Sequence, residues 1–252
     1  MTGYAAVVLA GGAARRMGGV DKPGRPVGGR PMLHRVLAAV ADADQRIVVG
    51  PSGPLPDGVR TTREEPPGGG PVAATAAGLA LLDPATTTVA LLAADLPLLT
   101  AAAVTELRRA LDAPATEQPH DLATEQPHAS PAEQPHAPAA EREHDPAAER
   151  EHDPAAERES APTAAGSTVA LACYVDADGR RQQLCAVWRL PALRAALDRL
   201  AATRGGTLDG APVRALLTGV AVREVSWSGS GPPPWFDCDT DEDVRRAEEW
   251  SR

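Results

Sequence analysis

Residues 4–22, YAAVVLAGGAARRMGGVDK, set an apolar run directly against a turn rich in glycine and positive charge. Residues 4–9 show no polar alternation, which predicts a strand covered on both faces, as in parallel sheets. Gly11 and Gly12 follow at once. Without Cβ atoms they let backbone N–H groups turn toward an anion and approach it closely. Arg15, Arg16 and Lys22 add three cations, which makes phosphate the natural ligand. The spacing matches neither G-x-x-x-x-G-K-[ST] nor G-x-G-x-x-G, so the P-loop and dinucleotide fingerprints do not apply. A glycine-rich turn with solvated basic side chains is the alternative reading.

Outward from that stretch, strand and helix patterns alternate. Further buried-strand runs lie at 46–49 and 89–93. Residues 31–40 carry Met32, Val36, Leu37 and Val40 at helical spacing, and 71–82 open on a proline suited to a first turn. Thr100 is placed to cap a helix over 101–111. Later, TVALACYVDADGRRQQLCAVW reads as two strands joined by a turn at 176–179. Helices are expected at 191–202 and around 213–217, then a strand at 220–225. Thr240 and Asp243 form a capping box for a last helix. This alternation predicts a Rossmann-like three-layer α/β/α domain on a mostly parallel sheet, with its ligand at the carboxyl ends of the strands.

Residues 113–162 break the pattern with an eight-residue repeat, ATEQPHDL through AAEREHDP, that holds five of the six histidines. It offers almost nothing apolar larger than alanine, so it is expected to be a disordered insertion rather than part of a core. Regular histidines suggest a metal tract as the alternative. The insertion also explains the formal charge of -9: it carries 12 of the 34 acidic residues and 3 of the 25 basic ones. The rest of the chain balances, which removes the case for nucleic-acid or membrane partners from overall charge.

No run of about 18 apolar residues occurs, and the N-terminus has no basic-then-apolar leader, so a cytoplasmic protein is expected. Cys173, Cys185 and Cys238 form no C-x-x-C pair and read as reduced structural thiols.

A second chemical element is Asp95, which ends the apolar run ALLAAD at the predicted ligand edge of the sheet. A carboxylate leaving a buried strand is costly unless it is exposed or meets a cation. Magnesium bridging phosphate oxygens would serve. A turn or capping aspartate is the other reading.

The segments VVLAGGAARRMGGVDK, EEPPGGGPVAATAAGL, LLAADLPLL and FDCDTDEDV occur in the order seen in nucleotidyltransferases. Outside the insertion the chain resembles the molybdenum cofactor guanylyltransferases. The LAGG doublet leans toward the guanylyl branch, since related cytidylyl enzymes more often show LAAG. The resemblance implies a single nucleotidyltransferase domain over 1–252, interrupted at about 113–162. It implies a GTP site in which Leu9, Ala10 and Gly11 meet base and sugar while the turn with Gly12 cradles phosphates. Lys22 matches the triphosphate-binding lysine, with Arg16 beside it. Asp95 matches the magnesium ligand, and Asp239 falls where relatives often carry a second metal-side residue. Glu65 stands where the family usually has a nucleotide-contacting aspartate, and Gly50 where some members use asparagine. These two positions, and Pro23-Gly24-Arg25, depart from the family pattern.

The implied reaction is magnesium-dependent transfer of GMP from GTP to the terminal phosphate of molybdenum-molybdopterin, with release of pyrophosphate. The implied partners are GTP, a molybdopterin-type acceptor, and a molybdoenzyme or cofactor chaperone. The hairpin 168–189, with Gln182, Gln183, Leu184 and Arg189, is read as the acceptor wall or as a purely structural hairpin, and the insertion as hanging over the acceptor entrance. His34, the lone histidine outside the repeat, reads as a helix-surface residue. Two alternatives stay open: cytidylyl or guanylyl transfer to another phosphorylated acceptor such as phospholactate, and a non-catalytic nucleotide-binding regulatory protein.

Overall fold

The computed structural model describes residues 3–11, 22–51, 53–114 and 169–251. The chain divides into two units, Met1–Ala115 with Ser167–Arg252 and Thr116–Gly166, and every described residue belongs to the first. All but the first two residues of the repeat insertion at 113–162 therefore lie outside the described residues.

Strand β1 (Ala5–Leu9) leads to a two-residue hairpin, β2 (Pro26–Val27) with β3 (Arg30–Pro31), and then to α1 (Met32–Ala39). There follow β4 (Gln45–Val49), β5 (Val59–Thr62), α2 (Gly70–Leu79), β6 (Thr88–Ala93) and α3 (Ala101–Asp112). The second stretch holds β7 (Leu171–Val175), β8 (Arg181–Arg189), α4 (Leu190–Thr203), a 3-10 turn at Val213–Leu217, β9 (Val222–Ser226) and α5 (Asp241–Trp250). Seven strands form one sheet in the order β5-β4-β1-β6-β8-β7-β9. Only β8 runs against its neighbours β6 and β7; the other four ladders are parallel.

The period-two alternation of each strand sorts its side chains between two cores. On one face Ala6, Val8, Val48 and Leu92 meet Leu33, Val36 and Leu37 of α1 and Val104 and Leu107 of α3. On the other, Val7, Leu9, Val49 and Leu91 meet Val72 and Leu79 of α2 and Leu193 and Leu197 of α4. Close approach of α2 is enforced at Gly78, where a Cβ would lie 2.6 Å from Val7 Cγ1 and 2.9 Å from Val49 Cγ2. A third cluster sets Val244 and Ala247 of α5 against Val27, Met32, Leu98 and Cys238. The helix caps behave as their residues dictate. Thr100 accepts from Ala103 N at α3, and Thr240 with Asp243 closes the capping box of α5.

Three details differ from the sequence expectation. Strand β5 has no counterpart in it, because VRTT is an edge strand with only half-buried or exposed positions. The helical spacing at 213–217 yields a 3-10 turn, short and entered through Pro212. Arg189 is not near a ligand edge: it pairs with Thr88 at the start of β6, and its guanidinium reaches Asp112 at 3.0 Å and the Leu111 carbonyl at 3.2 Å. The antiparallel run of β8 carries it the length of the sheet away from Gln182–Leu184.

The same directions place the two roots of the insertion. Helix α3 descends from the carboxyl end of β6, and β7 begins at the opposite end of the sheet, opposite Trp188. Pro114 is held there by Arg223, which donates to its carbonyl at 2.9 Å. Both roots therefore leave from the edge away from the strand ends that carry Gly11 and Asp95. The insertion expected over the acceptor entrance itself lies outside the described residues.

Candidate active site

The carboxyl ends of β1, β4 and β6 meet through backbone hydrogen bonds that continue past the strands. Ala94 N donates to Leu9 O at 3.0 Å, and Ala10 N donates to Val49 O at 2.8 Å. Leu9 and Ala10 are buried, and Gly11 is the first residue of the turn to emerge. Among the described residues, a side chain added there would meet nothing within 4 Å. Gly12, Arg15 and Arg16 lie outside the described residues.

Gly50 backs this turn. Its φ is +115°, and a Cβ there would sit 2.7 Å from Gly11 N and 3.1 Å from Ala10 C. The residue is glycine because the neighbouring backbone occupies the space of a side chain.

Lys22 lies against both candidate acids. Its Nζ donates to Asp95 Oδ2 and, at 2.7 Å, to Asp239 Oδ1. Asp95 is delivered by the end of β6. Asp239 is delivered by a different device: Cys238, fully buried against Val27 and Val244, donates its backbone N–H to Asp95 O at 3.2 Å. A buried thiol thus pins the segment, and the flanking Asp237 and Asp239 are turned outward. Burial pushes the Cys238 thiol up to about 12, helped by the charges of Asp243 and Asp95, so it stays a neutral plug.

Electrostatics agree with this convergence. Burial alone would lower the Lys22 pKa; its hydrogen bonds to Asp239 and Asp95 and their charges more than offset that, and the net shift is upward. The Asp237 carboxyl is raised by partial desolvation and then by the negative charges of Asp239 and Asp95. Asp237 is a member of the site that the sequence reading missed, although its place two residues before Asp239 was the available signal. Beside them, Arg25 pairs with Asp241 at the start of α5.

At the loop after β5, Glu65 is exposed, whereas its neighbour Glu64 is 8% exposed. Glu64 Oε1 accepts from Gly68 N at 3.0 Å, and Oε2 is buried with no hydrogen-bond partner among the described residues. An unmet oxygen of that kind costs about 1–3 kcal/mol, more when charged. The acidic position legible in the sequence is thus a pair, and the inward member is Glu64. His34 is half-buried, and its Nε2 donates to Pro54 O at 2.8 Å.

On the other flank of β6 from β1, β8 lies with Cys185 opposite Leu92, so Gln183 and Gln182 extend past Ala93 toward Asp95. Gln182 Nε2 is engaged by Asp176 Oδ2 at 3.2 Å. Tyr174 near the end of β7 donates to Glu106 Oε2 at 2.7 Å, and Trp235 lies 5.0 Å from its ring. These contacts tie the loop at 227–240 to α3 and β7.

A glycine turn, a lysine, the acid after β6 and the acid before α5 converge at the carboxyl edge of the sheet, and a family model fits the same frame. The MobA-like NTP transferase domain matches residues 6–218. The chain belongs to the MobA-like NTP transferase family. A molybdenum cofactor guanylyltransferase of Bradyrhizobium sp. (strain ORS 278) is 36% identical over 124 residues, 46% of this chain and 58% of that relative. The matched part thus spans less than two thirds of the length of the curated relatives. The fold is similar to molybdopterin-guanine dinucleotide biosynthesis protein A from Archaeoglobus fulgidus, with 14% identity, 97% of each chain covered and a TM-score of 0.58. It is equally similar to 2-C-methyl-D-erythritol 4-phosphate cytidylyltransferase from Thermus thermophilus, with 16% identity, 98% of each chain covered and a TM-score of 0.58. The architecture is therefore that of a nucleotidyltransferase, and this family's chemistry is enzymatic. Equal likeness to guanylyl- and cytidylyl-side folds leaves the base to be argued from the site.

Proposed function

We propose that this nucleotidyltransferase moves GMP from GTP to the terminal phosphate of molybdenum-molybdopterin, releasing pyrophosphate. The observation that carries this reading is the convergence of Lys22, Asp95 and Asp239 beside the Gly11 turn. In this reading Leu9, Ala10, Gly11, Gly12 and Gly50 shape the nucleotide pocket. The acidic nucleotide contact in this reading is Glu65, which is exposed in the loop after β5. The LAGG doublet supports guanine.

A divalent ion, magnesium in this reading, fits the donor set. Asp95 and Asp239 already aim oxygens at one shared cation. Among the described residues no group of three or more His, Cys, Asp or Glu side chains is arranged to hold a metal ion. Two carboxylates suit an ion that completes its shell with phosphate oxygens and water. When bound, it would neutralise charge on the triphosphate.

The chain's own residues then bind and orient. Lys22, with Arg16, holds the triphosphate, and the glycine turn admits phosphate oxygens close to the backbone. The acceptor phosphate oxygen forms a bond to the α-phosphorus while the α–β bridge breaks and pyrophosphate leaves. A phosphate monoester has a second pKa of about 6 and is largely dianionic near neutrality, so no general base is needed. His34, engaged by Pro54, is not asked for one. Gln182 and Gln183 are the candidate acceptor contacts. The reading includes a cytoplasmic location, consistent with the finding that no helix among the described residues is long and apolar enough to cross a membrane. It includes delivery of the product to a molybdoenzyme or cofactor chaperone.

The test is pyrophosphate release from each of the four nucleoside triphosphates with a molybdopterin-loaded acceptor. GTP is expected to dominate. Preference for CTP would favour the cytidylyl alternative, and GTP binding without pyrophosphate release would favour a regulatory protein.

A further inference from the structure

We propose that Lys22 and the divalent ion compete for the same two carboxylates, so that Lys22 acts as a latch which the triphosphate must draw away before the ion is held. The inference rests on the nucleotide and metal reading above and deepens it.

One ammonium nitrogen donates to Asp95 Oδ2 and to Asp239 Oδ1, the oxygens a metal would need. Lys22 and Asp95 are only 21% and 22% exposed at their side chains, so water screens that pairing poorly, while Asp239 is 52% exposed. A divalent ion held by either oxygen would take up the lone pair now directed at Nζ and would repel the ammonium. Lys22 must then swing to other acceptors. A triphosphate supplies them, because it presents several anionic oxygens at the mouth of the same turn.

The consequence is an ordered coupling. Metal alone is opposed by Lys22, nucleotide alone is drawn to Lys22, and the pair bind together more tightly than either separately. By linkage, whatever the nucleotide does to metal affinity, the metal does to nucleotide affinity. A lysine that only gripped phosphates would leave metal-alone binding untouched.

Titrating the full chain with Mn2+ in the absence of nucleotide, and following loss of the free-ion EPR signal, separates the two cases. Lys22→Ala and Lys22→Met are each expected to bind Mn2+ roughly tenfold more tightly than the parent, the size of an ordinary coupling between sites. Adding Asp95→Asn to either variant should remove the gain. Arg25→Ala deletes a neighbouring cation that pairs with Asp241, and is expected to change Mn2+ affinity by less than about twofold. Unchanged, weaker or undetectable Mn2+ binding in both Lys22 variants overturns the latch, and so does an equal gain in Arg25→Ala. Equilibrium dialysis with GTP is scored separately. If the parent chain fails to bind GTP, the proposed function falls, while the Mn2+ comparison still decides the latch.

Discussion

Replacing Gly50 by alanine probes whether the glycine turn is held in place by the strand beside it. At φ +115° a non-glycine residue pays a backbone cost of about 1–3 kcal/mol. The added methyl would also sit 2.7 Å from Gly11 N and 3.0 Å from Gly11 Cα, contacts that real Cβ atoms do not sustain. Both partners are backbone, so no side-chain rotation relieves them, and overpacking of this kind costs a further ~1–3 kcal/mol. Partial relaxation of the turn brings the expected loss to about 3 kcal/mol, a large share of the ~5–15 kcal/mol typical of a domain. Urea unfolding followed by circular dichroism measures it; with a slope of about 1–3 kcal/mol per molar, the midpoint should fall by about 1 M or more. The relaxation must move Gly11, so GTP affinity should fall in the variant even at urea concentrations where it is fully folded. A stability loss below about 0.5 kcal/mol, the range of an ordinary surface change, would refute the close-approach argument.

Two further outcomes are expected. Asp95→Asn should lower guanylyl transfer by orders of magnitude, with the thermal transition within a few degrees of the parent, because the residue lies at a strand end and not within either core; parental turnover would remove it from the metal site. Deleting 117–160 should leave the cooperative thermal transition and GTP binding unchanged, since that composition contributes nothing to bury; loss of soluble folded protein would show that the segment supports the domain.

The fold was legible where burial is complete on both faces. AAVVL, the 45–49 run and TVALLA declare themselves as central strands through their apolar cores. Strand β5 was not, because an edge strand with exposed arginine and threonine carries neither pattern. Lys22, Asp95 and Asp239 were individually readable from their motifs. Their meeting was not, because it joins residues 217 positions apart through the burial of Cys238, which no local pattern announces. Adjacent residues posed the opposite difficulty. In Glu64-Glu65 the motif position is plain, but which acid faces inward depends on the path of the backbone through 64–68. Arg189 shows how direction matters as much as neighbourhood: membership of the hairpin was correct, yet the return strand carries its last residue to the far edge.

The placement of Pro114 and Leu171 at the edge remote from Asp95 has an evolutionary corollary. A chain that splices new material between α3 and β7 does so at the edge opposite the one where Lys22 meets Asp95. Repeat units can be gained or lost there by slippage during replication with little selective penalty from the chemistry, and the same junction offers an engineer a place to insert a reporter.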